Sequence, residues 1–71
     1  MPLRAALSHD WSRSLRCRRC KAIVDLRVPH ALDGPPGIVA AVYCEACAVA
    51  LIGRMQWAAE LAKAHLRAGG A

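Results

Sequence analysis

Four cysteines are the residues of this 71-residue chain best suited to chemistry, and they occur as two C-x-x-C pairs. Cys17 and Cys20 form the first pair, Cys44 and Cys47 form the second, and 23 residues separate the pairs. A tight turn lets two thiolates share one ion, and two such turns complete a tetrahedral shell with metal–sulfur bonds of about 2.3 Å. The spacing therefore predicts one structural Zn²⁺ bound by all four cysteines.

Four cysteines can also form disulfides, a redox centre or an iron site. Two disulfides require an oxidising compartment, which the N-terminal sequence does not indicate. A thioredoxin-like redox centre uses a single pair on a βαβ scaffold. Iron stays open as an alternative metal, because four thiolates also suit an iron–sulfur cluster. With four thiolates present, His9, His30 and His65 are not needed as ligands, and we expect them to be ordinary surface or interface histidines.

The sequence favours a binding role over an enzymatic one. Four thiolate ligands leave no open position on a metal, so the site is predicted to be structural. The sequence contains no recognisable nucleophile–base pair and no phosphate-binding glycine loop. We therefore expect no enzymatic activity.

Cations surround the first cysteine pair in the stretch LRCRRCK, residues 15–21. The net charge is +5, and seven of the ten Lys and Arg residues lie within residues 1–30. Positive charge beside thiolates favours their ionisation, although we expect Arg18 and Arg19 to point away from the metal. The remaining cations favour a polyanionic partner. The candidate contacts to nucleic acid or an acidic partner are Arg13, Arg16, Arg18, Arg19, Lys21 and Arg27.

The elements that must position the cysteines can be predicted from periodicity. Residues 1–16 carry large apolar residues at four-residue steps and are predicted to be a helical or irregular segment. Residues 17–71 are predicted to form the four-cysteine zinc domain, within a single domain overall. Alternation of Val24, Leu26 and Val28 with charged residues predicts a strand over 22–28. Residues 29–37, rich in Pro and Gly, are predicted to be a loop before a second strand over 38–43.

The longest predicted element is a C-terminal helix from Cys44 to about Arg67. The segment has no proline and one internal glycine, Gly53, and its residues are mostly good helix formers. The fold class is therefore a small α+β zinc-stabilised domain with a zinc knuckle, a β-hairpin and a long helix. Because apolar residues occupy more than one side of this helix, it is predicted to be covered on two sides. The second side is covered either by Leu3, Leu7 and Trp11 folding back over it or by a partner or a second copy. The candidate interface residues are Trp11, Met55, Trp57 and Leu61.

A knuckle, a hairpin and a second C-x-x-C at a helix start resemble a treble-clef or zinc-ribbon finger. The four cysteines and the helix beginning at Cys44 carry this resemblance over residues 15–67. Within that group the chain resembles the zinc finger of the DksA/TraR family, which implies an association with bacterial RNA polymerase. The chain departs from that family's pattern in having Lys21 where glycine is usual and in its longer spacer.

Two functions follow from these features. The first is a protein-binding regulator of a larger, nucleic-acid-processing machine such as RNA polymerase. The alternative is a zinc finger that binds DNA or RNA directly through its basic half, although three aromatic residues are few for a base-stacking platform. The N-terminal sequence lacks the pattern of a signal peptide, and no run of about 18 apolar residues occurs. We therefore expect a cytoplasmic protein without a membrane partner.

Overall fold

A computed structural model describes residues 3–7, 15–35 and 37–68 of the chain. Two antiparallel sheets and two helices make up the described part. The strands are β1 (Leu3–Ala6), β2 (Leu15–Arg16), β3 (Ile23–Val24), β4 (His30–Asp33) and β5 (Ala41–Tyr43). The helices are α1 (Glu45–Ile52) and α2 (Arg54–Ala68). The α+β class and the C-terminal position of the helical part agree with the prediction.

The larger sheet has the strand order β1-β4-β5, with both pairs antiparallel. His30, Ala31 and Leu32 of the central strand are all at most 5% exposed, so both faces of β4 are covered. Helix α2 packs against β1, and α1 packs against β4 and α2. The core lies between these helices and the sheet and continues to the metal centre. Its buried apolar residues are Leu3, Ala5, Cys17, Val24, Leu26, Ala31, Leu32, Val42, Tyr43, Cys47, Ala48, Trp57 and Ala64.

The N-terminal segment begins as a strand, so the predicted helical or irregular segment is wrong for Leu3–Ala6. Leu3 and Ala5 are buried while Arg4 is only partly so, which is the two-residue alternation of a strand. The strand is fixed by pairing with β4, in which Ala5 lies opposite Ala31. Residues 8–14, including Trp11 and Arg13, lie outside the described residues.

The hairpin exists, but its first strand is not the predicted one. Only Ile23–Val24 of the predicted strand 22–28 is extended, because the chain turns at Asp25. The Asp25 carboxylate accepts a hydrogen bond from the Arg27 backbone N–H at 2.9 Å, and the Val28 N–H donates to the Asp25 carbonyl at 3.2 Å. Such an aspartate-based turn competes with continued strand pairing.

The partner of β5 is β4, which lies inside the segment predicted to be a loop. His30, Ala31 and Leu32 form a short buried strand between Pro29 and the turn that starts at Gly34. That turn needs a glycine, since Gly34 has φ 126° and a Cβ there would lie 2.5 Å from the Ile38 carbonyl oxygen. The prolines mark the ends of the connection but do not exclude a strand before it.

The predicted single helix is interrupted at Gly53, so it forms two helices instead of one. Gly53 has φ 87° and ψ 154°, a combination that residues with side chains rarely adopt. Its N–H still donates to the Val49 carbonyl at 2.8 Å, and its carbonyl accepts from the Trp57 N–H at 2.9 Å. The break changes the course of the chain so that Trp57 and Ala64, seven residues apart on α2, are both buried. No helix among the described residues has the length and apolar character needed to cross a membrane.

Replacing Gly53 should test whether tertiary packing enforces this break. Gly53→Ala puts a side chain at a φ/ψ combination that costs about 1–3 kcal/mol, although the space around its Cβ is open. We expect the free energy of unfolding of the metal-loaded protein to fall by that amount in chemical denaturation. Gly37→Ala is a matched control that measures the cost of the strained φ alone, because Gly37 also has φ 87° and open space around its Cβ. A Gly53→Ala protein as stable as the parent would indicate one continuous helix.

Candidate metal centre

The first cysteine pair lies on a tight turn between β2 and β3. These strands pair with Leu15 opposite Val24 and Arg16 opposite Ile23, so the hairpin encloses the first C-x-x-C. The Cys17 N–H donates to the Ala22 carbonyl at 2.8 Å, and the Lys21 N–H donates to the Cys17 carbonyl at 2.9 Å. This is the predicted knuckle, and its backbone hydrogen bonds hold both sulfurs on the same side of the turn.

The second pair lies at the start of α1, as the sequence predicts. Cys44 is the N-cap residue, with extended backbone angles of φ −69° and ψ 162°, and Cys47 is in the first helical turn. The Ala48 N–H donates to the Cys44 carbonyl at 2.9 Å, which closes that turn. Because unpaired N–H groups and the helix dipole favour negative charge at a helix N-terminus, this position suits thiolates.

A backbone hydrogen bond helps to bring the two pairs together. The Arg18 N–H, inside the knuckle turn, donates to the Val42 carbonyl of β5 at 3.0 Å. Cys44 follows Val42 by two residues, so this hydrogen bond sets the knuckle against the helix start. The sheet therefore holds the second pair in place, and the knuckle docks onto the end of that sheet.

The four sulfur atoms form one cluster of the size of a metal shell. All four Sγ atoms lie within 4.8 Å of one another, and the Sγ atoms of Cys20 and Cys44 are 3.7 Å apart. A tetrahedron with metal–sulfur bonds of about 2.3 Å has edges of about 3.8 Å. All four cysteines are free thiols, not disulfides. The residues present therefore fit a four-coordinate metal ion, and the predicted convergence of the two pairs is confirmed.

The cluster is buried on one side and accessible on the other. Cys17 is 0% and Cys47 is 5% exposed, whereas Cys44 is partly buried and Cys20 is exposed. An open groove of about 460 Å³ adjoins the cluster at Cys44, and no sequence pattern predicted it. The groove is lined by Ile23, Val24, Asp25, Val28, Pro29, Cys44 and Glu45.

The surroundings of the two buried thiols, Cys17 and Cys47, shift their pKa values in opposite directions. Burial desolvates the Cys17 thiolate and opposes ionisation, but backbone N–H groups of Cys20, Cys44 and Arg19 donate to its sulfur. Their combined effect lowers the pKa of Cys17 to about 6. The pKa of Cys47 is raised to about 12, first by its hydrogen bond with Cys44 and then by burial. The site therefore forms one thiolate readily and needs a metal cation to remove the proton from Cys47.

Two of the four cations in LRCRRCK have roles in building the centre. The Arg19 side chain is exposed, and its positive charge close to the cluster lowers the pKa of Cys47. Arg16 Nη1 donates to the Lys21 carbonyl at 3.1 Å and supports the end of the knuckle turn. Among the six candidate contacts, Arg27 forms an ion pair with Asp25 at 3.1 Å. Arg18 and Lys21 are exposed on the knuckle.

Lys21 occupies the left-handed backbone region that favours glycine. It has φ 66°, and among the described residues it is the only non-glycine with a positive φ. The positive φ turns the chain after Lys21 so that the Ala22 carbonyl accepts a hydrogen bond from the Cys17 N–H. The departure from the glycine usual in the DksA/TraR family is therefore a local strain that the hydrogen bonds around the knuckle maintain.

The other residues singled out from the sequence lie apart from the cluster. Trp57 is 4% exposed and belongs to the core, so it cannot be the exposed interface anchor that the sequence suggested. Met55 is 88% exposed, and Leu61 is partly buried. His30 is fully buried, so the expectation of a surface or interface histidine is wrong there. Its Nδ1 lies 2.8 Å from the Val28 carbonyl oxygen.

Comparisons with protein-family models, curated proteins and solved structures find no significant match to this chain. The resemblance to the DksA/TraR zinc finger, and to treble-clef fingers generally, therefore depends on the cysteine spacing and the helix start alone.

Metal binding should be tested directly by titration and removal. We expect one ion per chain, and we expect Cys17→Ser to lower the affinity at least about 100-fold, because changes outside the ligand shell already cost 10–100-fold. Chelation should unfold the domain, since binding contributes about 10–16 kcal/mol in small fingers. Elemental analysis, competition titration and far-ultraviolet circular dichroism measure these effects. A far-ultraviolet spectrum unchanged by a strong chelator would contradict a structural role.

Metal affinity should rise with pH. Binding must displace the proton of Cys47, whose pKa is about 12, throughout the range from pH 6 to 9. The affinity should therefore increase at least about tenfold per pH unit in that range. Below about pH 6 the dependence should steepen, since Cys17 is then protonated as well. Calorimetry in buffers of different ionisation enthalpy counts the released protons, and an affinity that does not vary with pH would refute the assignment.

Two substitutions of Lys21 distinguish the effect of backbone strain on stability from the effect of the side-chain charge. Lys21→Gly removes a side chain from the left-handed region, where it costs about 1–2 kcal/mol, and we expect the metal-loaded protein to become more stable by up to about 1 kcal/mol. Lys21→Ala removes the charge but keeps the strain, so its stability should stay near that of the parent. Thermal and chemical denaturation measure both variants. Equal stabilisation in both would mean that charge, not backbone strain, limits the knuckle.

Proposed function

We propose that this protein binds one structural Zn²⁺ and acts as a protein-binding regulator of a larger, nucleic-acid-processing machine. The observation that carries the metal assignment is the convergence of four thiols within 4.8 Å. An all-thiolate shell is typical of zinc and of iron–sulfur centres, and four ligands at tetrahedral spacing leave no open position for catalysis. Zinc would join the knuckle to the start of α1 and hold the chain in a shape that presents its surfaces.

The distribution of aromatic residues favours a protein partner over a nucleic acid. Proteins that bind single strands without sequence preference stack bases on exposed aromatic side chains. Tyr43 and Trp57 are each 4% exposed, so neither is accessible for stacking in the described part of the chain. In contrast, Met55 and Leu66 of α2 are 88% and 71% exposed. Exposed large apolar side chains on a rigid helix are suited to protein contacts.

The cations of the knuckle support the alternative, direct binding to DNA or RNA. Arg18, Arg19 and Lys21 are all exposed on one turn, where they could contact phosphates. The number of cations available for this is smaller than the sequence suggested. Arg16 supports the knuckle backbone, and Arg27 is paired with Asp25. We therefore propose the protein-binding role as the primary function.

Affinity capture from the native host distinguishes the two functions. The bait is the zinc-loaded chain, and the retained proteins are quantified by mass spectrometry with and without nuclease treatment. The protein-binding role requires a partner that survives nuclease and is unaffected by Arg18→Glu, a change at an exposed residue outside the ligand set. Its loss with Met55→Arg would assign the contact to α2. Capture that is lost with nuclease, together with steeply salt-dependent binding to DNA or RNA, would establish the alternative.

A further inference from the structure

Helix α2 has a second apolar face, which lies opposite the buried one. Met55, Ala59, Ala62 and Leu66 follow steps of four, three and four residues, so they align along one side of the helix. All four are exposed, as is the neighbouring Ala58. We name these five residues the α2 stripe. Trp57 and Ala64, on the other side, belong to the core, so the described part of the chain does not cover the stripe.

The shape of the stripe suits another helix. Its two large side chains, Met55 and Leu66, lie 11 residues apart, which is about 16 Å along the axis. Alanines fill the distance between them, so the middle of the stripe is a shallow depression with backbone close to the surface. Helices with small residues at their contact can approach to about 8 Å between axes. A second helix with an apolar stripe of its own would fit between Met55 and Leu66.

The charges beside the stripe are positive on both sides. Arg54 lies along one side, and Lys63 and Arg67 lie along the other, as their spacing requires. Glu60 is the only acidic residue of α2, and its side chain is 15% exposed and pairs with Lys63 at 3.3 Å. Within the described part of the chain, neither Arg54 nor Arg67 forms an ion pair. An occupant of the stripe must therefore bring negative charge.

These features distinguish among possible occupants. A second copy in antiparallel register would place Met55 against Leu66, but both copies would bring the same flanking cations and no carboxylate to face Arg54 or Arg67, and like charges oppose that contact. A lipid surface is bound by helices rich in large apolar side chains, and the stripe has only two. An acidic helix with an apolar seam satisfies both the depression and the charge.

We propose that the α2 stripe binds an acidic amphipathic helix of a partner protein. This inference rests on the proposed protein-binding function and identifies the surface and the chemistry of that contact. Leucine side chains of the partner would pack over Ala59 and Ala62, between Met55 and Leu66. Carboxylates beside that leucine seam would face Arg54 on one side and Arg67 on the other.

Two synthetic helical peptides test the chemistry of the contact on the zinc-loaded chain. Both carry leucine at the a and d positions of three heptads, and one has glutamate at the e and g positions while the other has lysine. We expect fluorescence anisotropy to show binding of the glutamate peptide, at least about tenfold tighter than that of the lysine peptide. Arg54→Glu combined with Arg67→Glu should reverse this preference. Equal binding of both peptides, or binding of neither, would overturn the proposal.

The substitution Ala62→Leu distinguishes close helix packing from nonspecific hydrophobic binding. Leucine is a good helix former and position 62 is exposed, so the fold is expected to persist. The larger side chain fills the depression and should weaken binding of the glutamate peptide by at least about tenfold, whereas Ala62→Ser, of similar size to alanine, should not. Unchanged or tighter binding by Ala62→Leu would contradict helix packing.

Two further measurements identify the other occupants. Sedimentation equilibrium that shows a dimer abolished by Ala62→Leu would assign the stripe to a second copy. Binding to phosphatidylserine vesicles that Ala62→Leu strengthens would assign it to a membrane surface. Either result would overturn the proposal. If a host partner is still captured equally by Ala62→Leu, the assignment of the surface fails while the proposed protein-binding function stands.

Discussion

The convergence of four sulfur atoms is the constraint on which the rest of this structure depends. Two of them come from a turn between two-residue strands, and two come from the first turn of a helix. Strands as short as β2 and β3 are only marginally stable alone. Their position is fixed where the Arg18 N–H meets the Val42 carbonyl and where Cys17 is buried against the start of α1. A metal ion at the cluster would make these two contacts one cooperative unit.

Electrostatics at the centre explain much of the positive charge that first suggests a nucleic-acid-binding protein. Four thiolates around one divalent ion carry a net charge of about −2, which requires nearby donors when the site is partly buried. Backbone N–H groups lower the pKa of Cys17, and the charge of Arg19 lowers that of Cys47. The arginines of the knuckle are therefore not equivalent. Arg16 donates to the Lys21 carbonyl and supports the turn, whereas Arg18 and Lys21 are exposed on it.

The break at Gly53 decides which face of helix α2 is buried and which is exposed. With one continuous helix, Trp57 and Leu61 would be natural contacts for a partner. The backbone angles at Gly53 turn α2 so that Trp57 packs in the core, while Met55 faces solvent. The hydrophobic pattern has two apolar faces of similar character, and periodicity cannot tell which of them the sheet covers. The exposed face, with cations along both of its sides, is the one available for recognition.

The sequence by itself determined the four cysteines of the candidate metal centre, the knuckle and the start of the helix at Cys44. These depend on local rules, since a C-x-x-C turn and a helix N-terminus are each encoded within a few residues. Tertiary structure alone decided that Leu3–Ala6 and His30–Asp33 are strands, because Leu3–Ala6 pairs with His30–Asp33, which in turn pairs with Ala41–Tyr43. It also decided the break at Gly53 and the burial of Trp57. Those features depend on contacts between residues distant in the chain, which periodicity and composition do not record.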